Sequence, residues 1–277
     1  MYFDGLRLQR LVKIGGYKLS IRAVLRVIFS NYFMAMLTPG ASGGAVAQVL
    51  VLRSYGVPIS KGTPIVLIRT VFSIMFLVIM LPLVFLRDAI EIPYISRDML
   101  LIFAVLAVIA ALVGTYILQT KYMRQFVYNL AQRFKAHNTK DWLSKLETLN
   151  QGLGLLYKQP VQSLIVFIES GLSLLCLYCI APALMYAFTP DIPIIDILDR
   201  MILLNLILYF APTPGGTGIA EGLFVVLFSA FVPNGTVGII AVGWRVVAEY
   251  MPFFIGMYAV LTLYGRQFVA QETSREQ

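Results

Sequence analysis

The fold is decided by one stretch of sequence and a related stretch 175 residues later: Thr38-Pro39-Gly40-Ala41-Ser42-Gly43-Gly44 (the first tip) and Thr213-Pro214-Gly215-Gly216-Thr217-Gly218 (the second tip). Each tip interrupts a long apolar segment, at residues 19–54 and 198–233. Glycine and proline disfavour the interior of a helix, so each segment is expected to form two half-helices that meet at its tip. Non-helical backbone at membrane depth must be covered by protein or water. Both tips are therefore expected to face an interior cavity.

Composition places much of the chain in a membrane. Hydrophobic residues make up 59% and charged residues 13% of the 277 residues, against about 45–50% and about 25% in ordinary globular domains. The mean hydropathy is +0.80. The net charge of +8 comes from basic residues beside apolar segments, which indicates anionic lipid headgroups and argues against nucleic acid as a partner. Two cysteines and one histidine disfavour a disulfide framework, a histidine metal site and a Ser-His-Asp triad.

The rest of the apolar sequence predicts four full membrane spans. Each is long enough to cross about 30 Å of hydrocarbon. They lie at residues 63–86, 98–119, 160–189 and 236–265. The last one is unusual because it carries Arg245 and Glu249.

Charges between these spans predict the orientation. Basic residues dominate the N-terminal stretch to residue 26 and the loop at 120–159, which should be cytoplasmic. Acidic residues outnumber basic ones at 87–98 and 190–200, which should lie outside. By this count the first broken segment returns to the cytoplasm, the second returns to the outside, and both termini are cytoplasmic. The prediction is an all-α, multi-pass protein of the cell membrane with two re-entrant helical hairpins.

The two tips also predict an internal repeat. Thr38, Pro39 and Gly40 align with the Thr-Pro-Gly of the second tip at an offset of 175, and Arg69 aligns with Arg245 at 176. Three full spans separate the copies, so their orientations should be opposite. Inverted repeats with interrupted helices in matching places are typical of transporters that bind substrate near the bilayer midplane. We expect one transmembrane domain over residues 1–277, with repeats at about 19–87 and 198–265; two unrelated helix breaks are the alternative.

The tips have the chemistry to bind an anion. A half-helix that begins at a tip directs unpaired N–H groups and a partial positive charge toward it, and glycine lets a ligand approach the backbone. Hydroxyl and charged side chains nearby would complete a substrate site. The candidate substrate-binding residues are Thr38, Pro39, Gly40, Ser42, Gly43, Gly44, Gln48, Arg69, Thr213, Pro214, Gly215, Gly216, Thr217, Gly218, Glu221, Arg245 and Glu249. In the alternative interpretation, the glycines only allow two helices to pack closely.

Five ionisable residues fall at membrane depth: Arg69, Glu169, Glu221, Arg245 and Glu249. Charges in this position are costly and usually face a partner or a cavity. Arg245 and Glu249 are four residues apart and can pair on one helix face, whereas Glu221 could pair with Arg69 or with Arg245. A closed charge network that only stabilises the bundle is the alternative to a binding site.

These motifs resemble a known family, the lysylphosphatidylglycerol synthase transmembrane, or flippase-like, proteins. The resemblance runs from about residue 20 to 265. Its first motif comprises the first tip with Leu37, then Gln48, Tyr55-Gly56-Val57-Pro58 and Arg69-Thr70; its second comprises Pro212 through Gly222, then Trp244-Arg245 and Tyr250. It implies an integral membrane protein associated with movement of aminoacylated phospholipids or polyprenyl-linked lipids. Many family members have Glu where this chain has Ile68, which leaves the local partner of Arg69 open.

Three functions compete at this point. The leading one is a lipid translocator that moves an anionic headgroup through a midplane cavity, without a catalytic residue, metal or cofactor. The second is the membrane component of a lipid-modifying transferase such as lysylphosphatidylglycerol synthase, without its catalytic domain, in which Glu221 or Glu169 could act as a base. The third is a scaffold that docks another enzyme. Expected partners are a membrane phospholipid or polyprenyl lipid, with a separate lipid-synthesising enzyme and a second copy of the chain left open.

Cysteine labelling of intact cells tests the orientation. In a background without Cys176 and Cys179, single cysteines at positions 93 and 193 should react with a membrane-impermeant maleimide, because both connections are expected outside. A cysteine at position 137 should be protected until the cells are opened. Protection at 93 and 193 together with labelling at 137 would refute the orientation.

Overall fold

The computed structural model describes residues 1–87, 98–99, 101–102, 104–109, 154 and 159–273. Most of the predicted span at 98–119, the basic loop at 120–159 and most of the connection at 87–98 lie outside the described residues. Within the described part, every regular element is a helix. The prediction of an all-α membrane protein is confirmed.

The described residues form ten α-helices and two short helical turns of other types. The α-helices are α1 Tyr2–Ile14, α2 Ile21–Leu37, α3 Ser42–Ser54, α4 Ile59–Leu86, α5 Pro160–Tyr178, α6 Ile180–Tyr186, α7 Ile194–Leu208, α8 Ile219–Phe228, α9 Val237–Arg245 and α10 Met251–Thr273. A 3₁₀ turn at Ser229–Phe231 follows α8, and a π-helical turn at Val246–Tyr250 joins α9 to α10. Three of the described stretches are long and apolar enough to cross a membrane: Ile59–Leu86, Pro160–Tyr186 and Val237–Leu263.

The first broken segment forms a hairpin of two helices, α2 and α3. Contacts between Arg26 and Tyr55 near the open end and between Asn31 and Gln48 further along show that the helices run antiparallel. Helix α2 begins at Ser20, whose hydroxyl accepts the backbone N–H of residue 23. With 17 and 13 residues, the helices are about 25 and 20 Å long, which is shorter than the roughly 30 Å hydrocarbon core.

The second broken segment is less regular. Helix α7 ends at Leu208, the chain continues without regular helix through the second tip, and α8 begins only at Ile219. The 10 residues of α8 span about 15 Å, half of what is needed to cross the hydrocarbon core. Helix α8 packs against α7 on one side and α9 on the other.

Two apolar clusters form the core. One joins α1, α2, α3 and the first half of α4, with Leu8, Ile28 and Leu52 fully buried. The other joins the second half of α4 to α5, α7, α8 and α9 around Phe224 and Trp244, whose rings stack 5.2 Å apart. Large apolar side chains also cover the outer surface of the described helices, as expected for a surface in contact with lipid.

Helix α1 departs from the sequence-based interpretation. Its charges were counted with the cytoplasmic N-terminal stretch, but Asp4 and Arg7 are buried in the protein interior. The reason is helical spacing, because residues 4, 7, 8 and 11 share one face and Leu8 and Leu11 on that face are buried. Arg10, on a neighbouring face, contacts Glu169 of α5, with Nη2 and Oε1 2.7 Å apart.

The ends of the two predicted outer connections lie on the same side of the molecule. Arg87 follows α4, and Asp199 is in the second turn of α7; Nη1 of Arg87 is 3.2 Å from Oδ1 of Asp199. The charge count had placed both connections on one side of the membrane, and this ion pair joins them. Which side faces the cytoplasm stays a prediction.

The contact between α10 and α2 depends on a glycine. A Cβ atom on Gly256 would lie 2.1 Å from the carbonyl oxygen of Phe29, closer than any allowed contact. We expect Gly256→Ala to force the helices apart and to lower the free energy of unfolding by about 1–3 kcal/mol. Gly222→Ala in α8 is the control, because nothing lies within 4 Å of the added methyl group there. Thermal unfolding in detergent measures both, and equal melting temperatures would contradict the expected contact.

Candidate functional site

The two tips contact each other, and both prolines at their contact are exposed. Pro39 and Pro214, which occupy matching positions in the two copies of Thr-Pro-Gly, form an isolated antiparallel bridge. A Cβ atom on Gly215 would lie 3.3 Å from the Cα atom of Met36, so the second tip packs closely against the end of α2. Two stretches 175 residues apart in sequence are therefore neighbours in the fold.

Both tips adopt the same backbone turn. Gly40 and Gly215 each have a φ of +59°, and the residues that follow, Ala41 and Gly216, have φ values of +53° and +68°. Two consecutive residues in the left-handed region are rare, and a side chain is tolerated poorly there. Ala41 is the one residue other than glycine with positive φ among the described residues. The shared Thr-Pro-Gly sequence thus encodes a shared conformation.

The hydroxyl groups of Ser42 and Thr217, both expected to bind a ligand, form hydrogen bonds within their own tips. Ser42 Oγ donates to the carbonyl of Pro39 at 3.1 Å, and Thr217 Oγ1 donates to that of Pro214 at 2.8 Å. Their donor hydrogens therefore stabilise the turns.

The two threonines at the start of the tips also differ. Thr38 donates its hydroxyl hydrogen to Met34 and accepts the N–H of Gly43. Thr213 Oγ1 is buried and makes no hydrogen bond with any residue that the structure describes. Of the four tip hydroxyls, that of Thr213 is the one left unpaired within the described residues.

The glycines of the tips fall into two groups. Added Cβ atoms on Gly43 and Gly44 would lie 2.6 Å from Thr38 Cγ2 and 2.5 Å from Asn31 Oδ1, so these glycines allow close packing within the hairpin. Gly218 has open space around it, but its φ of +83° requires glycine. Its N–H donates to Glu221 Oε2 at 2.7 Å and caps α8. None of these three glycines lines the cavity between the tips. Gly43 and Gly44 fit the alternative interpretation, in which glycine only allows two helices to pack closely.

A cavity of about 530 Å³ opens between the tips. Its wall includes residues from α1, both broken segments, α4, α5, α9 and the π-helical turn. Of the predicted site residues, the cavity is lined by Gly40, Ser42, Gln48, Arg69, Thr213, Gly215, Gly216 and Glu249. The others do not line it: Thr38, Pro39, Gly43, Gly44, Pro214, Thr217, Gly218, Glu221 and Arg245.

A cluster of charges from α1 and α4 forms one wall, and we call it the α1 cluster (Asp4, Arg7, Arg69). Nη2 of Arg69 is 2.6 Å from both carboxylate oxygens of Asp4, and Nε of Arg7 is 2.6 Å from Oδ1 of the same carboxylate. Arg7 also donates through Nη1 to Ser73 Oγ at 2.8 Å. Two arginines thus share one carboxylate.

Gln48 extends this cluster to the first hairpin. It accepts a hydrogen bond from Nη1 of Arg69, and its own Nε2 donates to Asn31 Oδ1 at 2.7 Å. Through this chain of contacts the arginine of α4 is tied to both helices of the hairpin.

A second cluster, the α9 cluster (Arg245, Glu221, Glu249), stands behind the second tip and reaches the cavity at Glu249. Arg245 donates through Nε to Glu221 at 2.8 Å and pairs through Nη1 with Glu249. Its Nη2 donates to the carbonyl of Gly215 at 2.8 Å. The predicted pairing of Arg245 with Glu249 is present, and Glu221 pairs with Arg245 rather than with Arg69.

The chain is similar in sequence to known membrane proteins. The family model described as "Lysylphosphatidylglycerol synthase TM region" matches residues 1–256. The chain belongs to this family. It is 22% identical over 268 residues to a UPF0104 membrane protein of Archaeoglobus fulgidus, an alignment that covers 92% of this chain and 80% of that protein. No solved structure matches.

Within the lysylphosphatidylglycerol synthase TM family, this chain differs in the carboxylate that pairs with Arg69. The resemblance left its partner open because Ile68 stands where many members have glutamate. In this chain Asp4 of α1 supplies the carboxylate, from 65 positions earlier in sequence.

The cavity residues of this family member that were not predicted as site residues include Asp4, Arg7, Tyr178 and Trp244. The first two share a helical face with buried leucines, a pattern that was visible in the sequence. Tyr178 Oη and Trp244 Nε1 are buried, and neither has a hydrogen-bond partner within the described ranges. Trp244 belongs to the second motif, whereas the position of Tyr178 in an apolar helix carried no signal that it would face a cavity.

Glu169 lies apart from the cavity. Although it was expected among the ionisable residues at membrane depth, it does not line the cavity wall. Arg10 holds its carboxylate through Nε and Nη2, and the same arginine donates to Gln162. Glu169 thus joins α5 to α1.

Arg245→Lys tests whether the planar guanidinium holds the second tip in place. Lysine keeps the charge but cannot bond two carboxylates and the Gly215 carbonyl together, so we expect a loss of about 2 kcal/mol or more of unfolding free energy. Arg87→Lys is the matched control because its side chain is 50% exposed and contacts Asp199 alone among the described carboxylates. Thermal unfolding of both variants in detergent measures the effect. A melting temperature for Arg245→Lys equal to that of the control would contradict this role.

Proposed function

We propose that the protein is a lipid translocator that moves the anionic headgroup of a phospholipid or polyprenyl-linked lipid through the cavity between the two tips. The lipid tails would stay in the bilayer during this movement. The observation that carries the proposal is the α1 cluster, in which two buried arginines share one aspartate on the cavity wall. Buried charge is costly, and an excess positive charge beside a cavity suits an anionic ligand.

The proposed architecture is an inverted repeat of two re-entrant hairpins, at about 19–87 and 198–265, within one transmembrane domain. Three observations support it: α3 and α8 are too short to cross the bilayer, the tips share one turn, and Pro39 bridges Pro214. A bridge between equivalent positions is what a pseudo-two-fold axis between the copies would produce. Such an axis would place the cavity near the bilayer midplane.

The protein would reside in the cell membrane with both termini in the cytoplasm. The balance of basic and acidic loops supports this orientation. A separate lipid-synthesising enzyme could supply the lipid, and self-association remains a further proposal.

Translocation is better supported than lipid modification. The two carboxylates that the sequence offered as a catalytic base are both engaged, Glu221 with Arg245 and the Gly218 N–H, and Glu169 with Arg10. A general base needs an oxygen that can reach the substrate proton. Neither carboxylate lines the cavity, which favours a site that binds a headgroup over one that reacts with it.

Reconstituted vesicles test the proposal. Phosphatidylglycerol with a fluorescent headgroup label should cross the bilayer faster in vesicles with protein than without it. Arg69→Gln and Ser173→Phe should each slow this by about tenfold or more, equivalent to about 1.4 kcal/mol. The first removes a cavity charge, and the second fills the cavity from α5.

Ile168→Phe is the matched control for Ser173→Phe. It introduces the same phenylalanine side chain on the same helix, but at a position that is 51% exposed on the outer surface, where lipid tails are expected. It should leave translocation unchanged. Equal translocation by wild type, Arg69→Gln and Ser173→Phe would show that the cavity is not the lipid path.

A further inference from the structure

The α1 cluster carries an excess of one positive charge. Asp4, Arg7 and Arg69 are exposed by only 4%, 6% and 5%. Arginine stays protonated in proteins, and a carboxylate between two guanidinium groups stays ionised, so the cluster combines two positive charges with one negative charge. All three residues line the cavity.

Asp4 occupies the place that an anionic ligand would otherwise take on Arg69. Nε and Nη2 of Arg69 both point at this carboxylate, and Nη1 bonds Gln48. A free guanidinium would bind a phosphate through this same two-pronged edge. Asp4 therefore neutralises one of the two arginine charges from inside the protein and leaves the other for a ligand.

A negative charge elsewhere on the cavity wall limits the charge that can enter. The α9 cluster has one arginine and two glutamates, so it carries an excess negative charge, and Glu249 of this cluster lines the cavity. A second negative charge on the ligand would find no unmatched arginine and would face both Asp4 and Glu249. Like charges brought together at such a site repel each other.

Hydrogen-bond donors around the cavity suit the same ligand. Thr213 Oγ1, Tyr178 Oη and Trp244 Nε1 are buried without a hydrogen-bond partner in the part of the chain that the structure describes. A buried donor without an acceptor is unfavourable, so a ligand that supplies acceptor oxygens is stabilised there. A phosphodiester has two such oxygens and carries a single negative charge.

We propose that Asp4 is a built-in counter-ion that restricts the cavity to headgroups with one negative charge, a phosphodiester rather than a diphosphate. This proposal rests on the proposed function, because it names the class of headgroup that the translocator accepts. It assigns α1 a direct part in substrate selection through Asp4 and Arg7, which lie outside both Gly/Pro motifs.

A charge series tests the proposal. Relative to the wild-type excess of one, Arg7→Gln lowers the charge of the cluster by one, Asp4→Asn raises it by one, and Asp4→Glu leaves it unchanged. The probes are two lipids with the same dioleoyl tails, phosphatidylglycerol and diacylglycerol pyrophosphate. Their dissociation constants would be measured by native mass spectrometry of the protein in nanodiscs.

Wild type and Asp4→Glu should prefer phosphatidylglycerol by about tenfold or more, because like-charge repulsion disfavours the diphosphate. Asp4→Asn should reduce this preference by about tenfold, and Arg7→Gln should weaken phosphatidylglycerol binding. Glu169→Gln is the control, since it removes a buried carboxylate that does not line the cavity. Equal affinities of wild type for both lipids, or an unchanged ratio in Asp4→Asn, would overturn the proposal.

Two further measurements distinguish a failure to fold, and a failure of the transport function, from a failure of headgroup selection by Asp4. If Asp4→Asn fails to fold, Glu249→Gln is used instead, because it also removes a negative charge from the cavity wall. The preference for phosphatidylglycerol over diacylglycerol pyrophosphate should then decrease, as expected for Asp4→Asn. Translocation of phosphatidylglycerol is measured on the same proteins. Affinities that follow the charge series without any translocation would support the counter-ion and refute the transport function. Translocation with a lipid ratio that ignores the charge series would refute the counter-ion alone.

Discussion

The structure depends on one constraint: irregular backbone and ionised side chains inside a membrane protein must be satisfied by the protein itself. Proline gives the tips no N–H to share at Pro39 and Pro214, and their turns expose carbonyl groups. Arg245 donates a hydrogen bond to one of these carbonyl groups, that of Gly215. The same requirement brings the tips together and places the cavity, the polar Gln48 and both charge clusters at this one junction.

Arginine makes the connections between segments that are far apart in sequence. Arg69 joins α4 to α1 and, through Gln48, to the first hairpin; Arg245 joins α9 to the second tip. Each has several donors in one plane, so one side chain can hold two or three acceptors at once. These contacts both stabilise the bundle and set the charge of the cavity. Of the two alternatives that the sequence offered, the charge network is present, and several of its residues also line the cavity.

The two tips show how matching residues can have different tasks. Gly43 and Gly218 are equivalent in sequence, yet the first makes room for Thr38 and the second supplies a positive φ and a capped N–H for α8. Thr38 is bonded within its hairpin, whereas Thr213 is left without a partner among the described residues and faces the cavity. The shared part is the turn itself, and the surroundings of each turn decide the role of its side chains.

The sequence by itself determined the membrane class, the all-helical architecture, the position of both tips, the family, and the pairing of Arg245 with Glu249. These depend on composition, local helix breaks and spacing of four residues along one helix, all of which are local properties. Only the tertiary structure decided that Asp4 and Arg7 complete the charge cluster with Arg69. It also decided which glycines line the cavity and that Tyr178 and Trp244 face it. Those outcomes depend on which helices pack together, and contacts across 65 or more residues leave no periodic signal in the chain.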